Sequence, residues 1–379
     1  QAVLTQGYGS GYLGADLSFP FAGYNAYQAT SSLASATLQP EMTTEFEVGA
    51  NVMFLNNRIG VDVAYYNRLS DMQIFNLPVD PATGYSSMTL NFGKVRNKGV
   101  ELLLTTVPVQ TKDFRWDLDF NWAKNNNKVE SLPEGLEGGK SALTSFDGVA
   151  MYAEEGMPIG TLYANLPVMT EDGKHVVDEY GLPIVGNTYE YTGKTVQHDW
   201  TGGISTTLRY KNFSVGATLD VRYGGWMNSR TKTQLWFTGN SLETTYNDRK
   251  VFVLPNSVFE DGTENNMPIS LYNSGFQYLF DGNDMHNVEG SAAHLVERTY
   301  AKLRELSVSY DLPTKWIKTI GLKGVRVSAV GNNLFLWTPK ENIYQDPDLG
   351  YTTDLSGMFG EIACMLPTRY YGFNVMVRF

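Results

Sequence analysis

Residues 114–122 read FRWDLDFNW: Phe114, Trp116, Leu118, Phe120 and Trp122 alternate with Arg115, Asp117, Asp119 and Asn121. A period of two marks a strand with one apolar and one wet face. The period recurs along the chain. Phe46, Val48, Ala50, Val52 and Phe54 keep it over 46–54, and Ile59, Val61, Val63 and Tyr65 resume it after the turn LNNR at 55–58. Ile204, Thr206, Leu208 and Tyr210 carry it over 202–210, and Phe213, Val215, Ala217, Leu219, Val221 and Tyr223 over 213–224. With 100–105, 303–312, 322–337 and 370–379, the pattern predicts about nine long strands. PTKWIKTIG at 313–321 reads as a short helix in a turn, and little other helix is expected.

The connections alternate in length. Those at 55–58, 108–113 and 211–212 are short and 313–321 is modest, whereas about 68–85, 125–199, 225–296 and 338–367 are long. Antiparallel strands joined in this way collect their short turns at one end and their long loops at the other. Transmembrane barrels of bacterial outer membranes are built so, with the long loops outside the cell. Structureless loops of such length count against a compact soluble domain. The expected fold is therefore an all-β, antiparallel transmembrane β-barrel with long extracellular loops and a periplasmic C-terminus. The last strand places Tyr371, Phe373, Val375, Val377 and Phe379 on one face and stops on the aromatic Phe379. Barrels commonly end this way, and Phe379 is the candidate assembly signal. The alternative is a surface β-sandwich that binds carbohydrate or adheres.

Composition narrows the choice. A net charge of −11 disfavours nucleic acid as a partner, because phosphate neutralisation needs basic patches. The single cysteine, Cys364, rules out an internal disulfide framework and a cysteine-based zinc site. No apolar run is long enough for a transmembrane helix. The mean hydropathy of −0.26 fits a barrel, where polar and apolar residues alternate. Nine strands is an odd number, and an open sheet would leave unpaired backbone in lipid. An incomplete barrel is the expectation, with 1–41 the end of an extracellular loop and 42–379 the C-terminal part of the barrel.

Several blocks carry a family resemblance. They are LQPEMTTEFEVGANVMFLNNRIGVDVAYYNR (38–68), NFGKVRNKGVELLL (91–104), TKDFRWDLDFNWAKNNNKV (111–129), YAKLRELSVSYDLPTKW (300–316), VSAVGNNLFLWT (327–338), DPD (346–348) and PTRYYGFNVMVRF (367–379). In order and spacing they resemble the C-terminal part of the SusC/RagA family of TonB-dependent outer-membrane transporters. The resemblance implies a barrel of roughly 22 strands, an N-terminal plug and a segment that contacts the TonB complex. It also implies a SusD-like surface lipoprotein over the mouth, often in a dimer of transporter–lipoprotein pairs, importing glycan or peptide. The plug is not expected within these residues, so its functional residues find no counterpart here.

Candidate chemistry is sparse. The four histidines show no zinc-protease spacing, and no nucleophile elbow or phosphate loop appears, so no catalytic residue or cofactor is assigned and the chain is read as a non-enzyme. Asp281, Asn283, Asp284 and Glu289 in FDGNDMHNVEG could hold calcium through close oxygen ligands, although their spacing misses the EF-hand pattern. A polar loop is the simpler reading there, as a turn is for DPD. The 225–296 loop holds Trp226, Trp236, Phe237 and Tyr246, which could stack on sugars, clasp an apolar peptide, meet the lipoprotein lid or pack the loop's own core. Arg115, Asp117, Asp119, Arg209, Asp220 and Arg222 fall on the polar strand faces and are expected to line a wet lumen.

Overall fold

The computed structural model describes residues 8–9, 28–29, 32–33, 35, 37–85, 87–91, 93–133, 136–270, 289–349, 355–361 and 367–379. Among them, nine strands form one antiparallel sheet in chain order: β1 Met42–Phe54, β2 Ile59–Asp71, β3 Lys94–Gln110, β4 Phe114–Ser131, β5 Trp200–Tyr210, β6 Phe213–Tyr223, β7 Tyr300–Asp311, β8 Gly324–Trp337 and β9 Tyr370–Arg378. Each pairs with its sequence neighbours, so β1 and β9 are the two edges. Several strands run well past the alternating segments. β4 continues to Ser131 through KNNNKVES, polar residues that a periodicity argument assigns to the following loop.

Register carries one apolar face across all nine strands. Trp122, Phe120, Leu118, Trp116 and Phe114 of β4 stand opposite Gly202, Ile204, Thr206, Leu208 and Tyr210 of β5. Those residues face Val221, Leu219, Ala217, Val215 and Phe213 of β6 in turn. A one-residue slip would exchange the faces of a whole strand, so the pattern itself fixes the register. Besides register shifts between Lys94 and Val95 and on β8 opposite Leu303–Glu305, two bulges adjust it. One lies between Thr106 and Val109, where Pro108 has no N–H to give the ladder and Arg58 donates to the carbonyls of Val107 and Pro108. The other, at Arg304, turns both Arg304 and Glu305 to the polar face.

The short turns gather at one end of the sheet. Leu55, Asn56 and Asn57 adopt positive φ in the first turn and Lys211 in the third. The turn after β7 holds the expected helical stretch, Thr314–Ile317 and Lys318–Ile320, closed by Gly321 at φ 76°. On the polar face the Tyr66 ring lies over Gly99 of β3, where a Cβ would come within 2.3 Å of the phenol.

The long connections fold together, contrary to their reading as structureless loops. Lys140–Phe146, Val149–Glu154, Thr161–Pro167 and Val185–Thr195 form a four-stranded antiparallel sheet. A second sheet joins Trp226–Ser229, Leu295–Glu297 and Gly360–Glu361, two strands from the loop between β6 and β7 and one from the loop between β8 and β9. Val149, Met151, Leu162, Ala164, Val196, Leu295 and Phe359 make their common core. We call this body the cap. It has its own buried apolar centre because no single loop is large enough to bury one alone.

The candidate site at the long-loop end of the polar face

The cap is anchored to the polar face of the sheet at two places. At the first, Val95 of β3 and Val129 of β4 pack against Ala153 of the cap, with Ile159 alongside. The Ile159 N–H donates to Asn127 Oδ1 at 2.8 Å, and Val129 exchanges backbone hydrogen bonds with Gly156 and Met157. At the second, the segment after β8 turns at Asp346, whose carbonyl accepts from the Leu349 N–H. Two carboxylates thereby enter a row of cations on β6 and β7. Asp346 Oδ2 accepts from Lys302 Nζ at 2.5 Å, and both side chains are buried. Asp348 accepts from Tyr300 Oη at 3.0 Å and pairs with Arg304 Nη1 at 2.6 Å. Arg304 also pairs with Asp220, and Arg222 lies 3.6 Å from Asp348. Burial alone would raise the Asp348 carboxyl, but hydrogen bonds from Arg304 and Tyr300 and the neighbouring cations hold it down at about 2.

The residues expected on the polar face are there. Asp117 bridges Arg115 at 2.7 Å and Arg209 at 2.6 Å, and the two arginines are register partners across β4 and β5. Asp119 stands opposite Thr105 and Ser205 and is exposed. Asp220 and Arg222 join the second cap anchor. The DPD sequence does form a turn, but sequence reasoning missed what its carboxylates meet. The signal available was the pair of cations Lys302 and Arg304 at the long-loop end of β7, with a single acid, Asp220, on the adjacent β6.

The loop aromatics divide. Trp226 packs on the cap core with Lys194 Nζ 4.0 Å from its ring centre, and Trp236 is buried against His294 at 6.4 Å. These two are cap structure. Phe237 is 42% exposed and Tyr246 51%, the latter edge-on to Phe252 at 5.0 Å. Trp236 and Phe237 sit on a helix, Arg230–Phe237, that the sequence pattern did not predict. Its polar sequence has little apolar stripe, and it is started by Ser229, whose Oγ accepts from the Lys232 N–H. Asp281, Asn283 and Asp284 lie outside the described residues; Glu289 precedes the turn Gly290–His294. Among the described residues no three His, Cys, Asp or Glu side chains form a metal-ligating group.

Residues 3–334 match the family model described as TonB dependent receptor-like, beta-barrel. The chain belongs to this family. Among curated relatives of this TonB-dependent receptor-like barrel, TonB-dependent receptor P3 of Formosa agariphila is 24% identical over 361 residues, covering 86% of this chain and 32% of the relative. TonB-dependent receptor SusC of Bacteroides thetaiotaomicron is 28% identical over 214 residues, 53% of this chain and 21% of the relative. The chain thus spans a third or less of the length of these relatives. A solved structure of the RagAB peptide transporter superposes with a TM-score of 0.70 over 100% of this chain and 39% of that one, at 19% identity. At that identity the likeness establishes the fold: the nine strands are part of a barrel, and the open edges belong to a partial sheet.

Proposed function

We propose that this chain is the C-terminal part of a TonB-dependent outer-membrane importer of oligomeric nutrients. The observation that carries the reading is the nine-strand meander with one unbroken apolar face, in a chain of this receptor family. The apolar face meets lipid. The polar face, with Arg115, Asp117, Asp119, Arg209, Asp220 and Arg222, lines a wet lumen. A charge on the lipid side at mid-depth would cost roughly 2–4 kcal/mol, which accounts for the segregation. The long-loop end is extracellular and the C-terminus periplasmic, with Phe379, 83% exposed beyond β9, available to assembly machinery.

The cap then lies over the extracellular mouth and narrows it. Its exposed Phe237 and Tyr246 are the surface offered to cargo or to a SusD-like lipoprotein, in dimers of such pairs. Energy would come through a plug and TonB contact carried by other parts of the protein. The cargo is glycan or peptide, and no catalytic step is involved. A β-sandwich is not supported, because the nine strands belong to one sheet and, among the described residues, no second sheet covers its apolar face. The test is uptake of labelled oligosaccharide and peptide pools by cells with and without the gene. Loss of one class of uptake, mimicked by an uncoupler, is expected; unchanged uptake of both contradicts the proposal.

A further inference from the structure

Arg298 sits just before β7, is 5% exposed, and among the described residues has no carboxylate within ion-pair distance. Its Nη1 donates to the Met358 carbonyl at 3.1 Å, while its Nε has no hydrogen-bond partner among the described residues. Beside it, just before β5, the His198 Nδ1–H donates to the Gly224 carbonyl at 2.8 Å and leaves a buried Nε2 without a partner among the described residues. Arg222, the third member, is 3.6 Å from Asp348 and lies over the Tyr300 ring at 5.7 Å, with no hydrogen bond from its guanidinium to any described residue. The three residues come from the long-loop ends of adjacent strands. Backbone ties hold those ends together: Arg298 N–H to the Gly225 carbonyl and Gly224 N–H to Thr299 Oγ1, each 2.8 Å.

This is an unusual way to treat charge. Burial of a guanidinium without a counter-ion costs several kcal/mol, and a second cation beside it adds to the cost. Among the described residues Asp220 pairs with Arg304, Asp346 with Lys302, and Asp348 with Arg304 and Tyr300, while the Asp199 carboxylate lies against Gly224 and pairs with neither Arg298 nor Arg222. Burial, with Arg222 close by, lowers Arg298 to about 10; burial, with Arg298 close by, lowers His198 to about 4. Both groups are therefore destabilised as cations by their surroundings, and both keep an unused nitrogen.

We infer that Arg298 and Arg222 form a binding site for a carboxylate at the long-loop end of the polar face. His198 flanks it; its Nε2 is bare while Nδ1 holds the proton, and becomes a donor only when the ring takes up a second proton. A planar two-oxygen anion matches the fork of a guanidinium and supplies charge-assisted hydrogen bonds. Two sources fit this chemistry: an acidic group on the cargo, or an acidic side chain from parts of the protein outside this chain. The cargo source rests on the import reading; the anion site itself does not.

The test is calorimetric titration of sodium succinate into the whole protein in detergent, at constant ionic strength and pH 7. Saturable binding is expected, weakened about tenfold or more in Arg298→Gln. Asp348→Asn removes a neighbouring negative charge and should tighten binding severalfold. Heat-modifiable gel migration checks that each variant is folded; if Arg298→Gln is not, Arg222→Gln supplies the same readout. If succinate does not bind but a density map of the whole protein places one of its own carboxylates within hydrogen-bond reach of Arg298 Nε, the site stands with an internal ligand. No succinate binding and no carboxylate there, or equal binding by wild type and the arginine variants, overturns the inference. None of these outcomes depends on transport.

Discussion

Trp116 on β4 donates its indole N–H to Thr206 Oγ1 on β5 at 2.8 Å, on the apolar face of the sheet. Thr206 in turn directs its hydroxyl to the Asp117 carbonyl at 3.2 Å. Hydrocarbon offers no partner for an indole N–H, so a tryptophan facing lipid away from the interfacial belt needs one within the sheet. Thr206→Val should destabilise the barrel by about 1–3 kcal/mol, the cost of an orphaned donor. Trp116→Phe in the same background should recover much of it. Urea unfolding in liposomes, read as a double-mutant cycle, gives the coupling.

Asp117 holds apart two arginines that would otherwise oppose each other directly across β4 and β5. Asp117→Asn leaves Arg115 and Arg209 as an uncompensated like-charge pair. The variant should be less stable than wild type at low salt and approach it as salt rises. A stability difference independent of ionic strength would argue against the pairing.

The cap's second anchor predicts an asymmetry between single and double substitutions. Lys302→Met strands the buried Asp346 carboxylate and should cost about 3–5 kcal/mol; combined with Asp346→Leu, most of that loss should disappear. Limited proteolysis of the 338–349 segment reads the anchor directly. Cleavage should rise in the single variant and fall back in the double.

His294, buried beside Lys232 and Arg230, hydrogen-bonds through Nδ1 to the Asp147 carbonyl at 3.2 Å. Burial, reinforced by Lys232, depresses it to about 4. The unfolded chain takes up this proton near pH 6.5 while the folded cap does not. Cap stability is therefore full above pH 6.5 and falls steadily toward pH 4, by on the order of 1–3 kcal/mol. Asp348 behaves differently, since its carboxyl is depressed to about 2. Its contribution is intact above pH 4 and is lost only as the pH drops through that lower range. Thermal unfolding of the cap from pH 7 to 4.5 should show the decline, and His294→Gln should flatten it.

The sheet was legible in the sequence because its faces have different solvents. Alternation at Phe114–Trp122 or Phe213–Tyr223 records lipid on one side, and a slip would bury charge, so number, order and register of the strands follow. The cap was not legible. Its strands are short, and its core draws Val149, Leu162, Leu295 and Phe359 from three separate loops, a pairing that no local period encodes. The same limit hid the Asp346 and Asp348 contacts, which join residues more than forty positions apart in sequence. Trp226 and Trp236 could be named as loop aromatics, yet only packing distinguishes them, half-buried and buried, from the exposed Phe237 and Tyr246.

The account turns on which face of the sheet meets lipid, and neighbouring residues of β4 decide it. In the whole protein, with Cys364→Ser as background, Asp119→Cys and Phe120→Cys are each probed in native outer membranes with a water-soluble maleimide and a lipid-borne quencher. The account predicts that position 119 reacts with the maleimide and escapes the quencher, and that position 120 does the reverse. Equal labelling at both positions, or the opposite pattern, would contradict it.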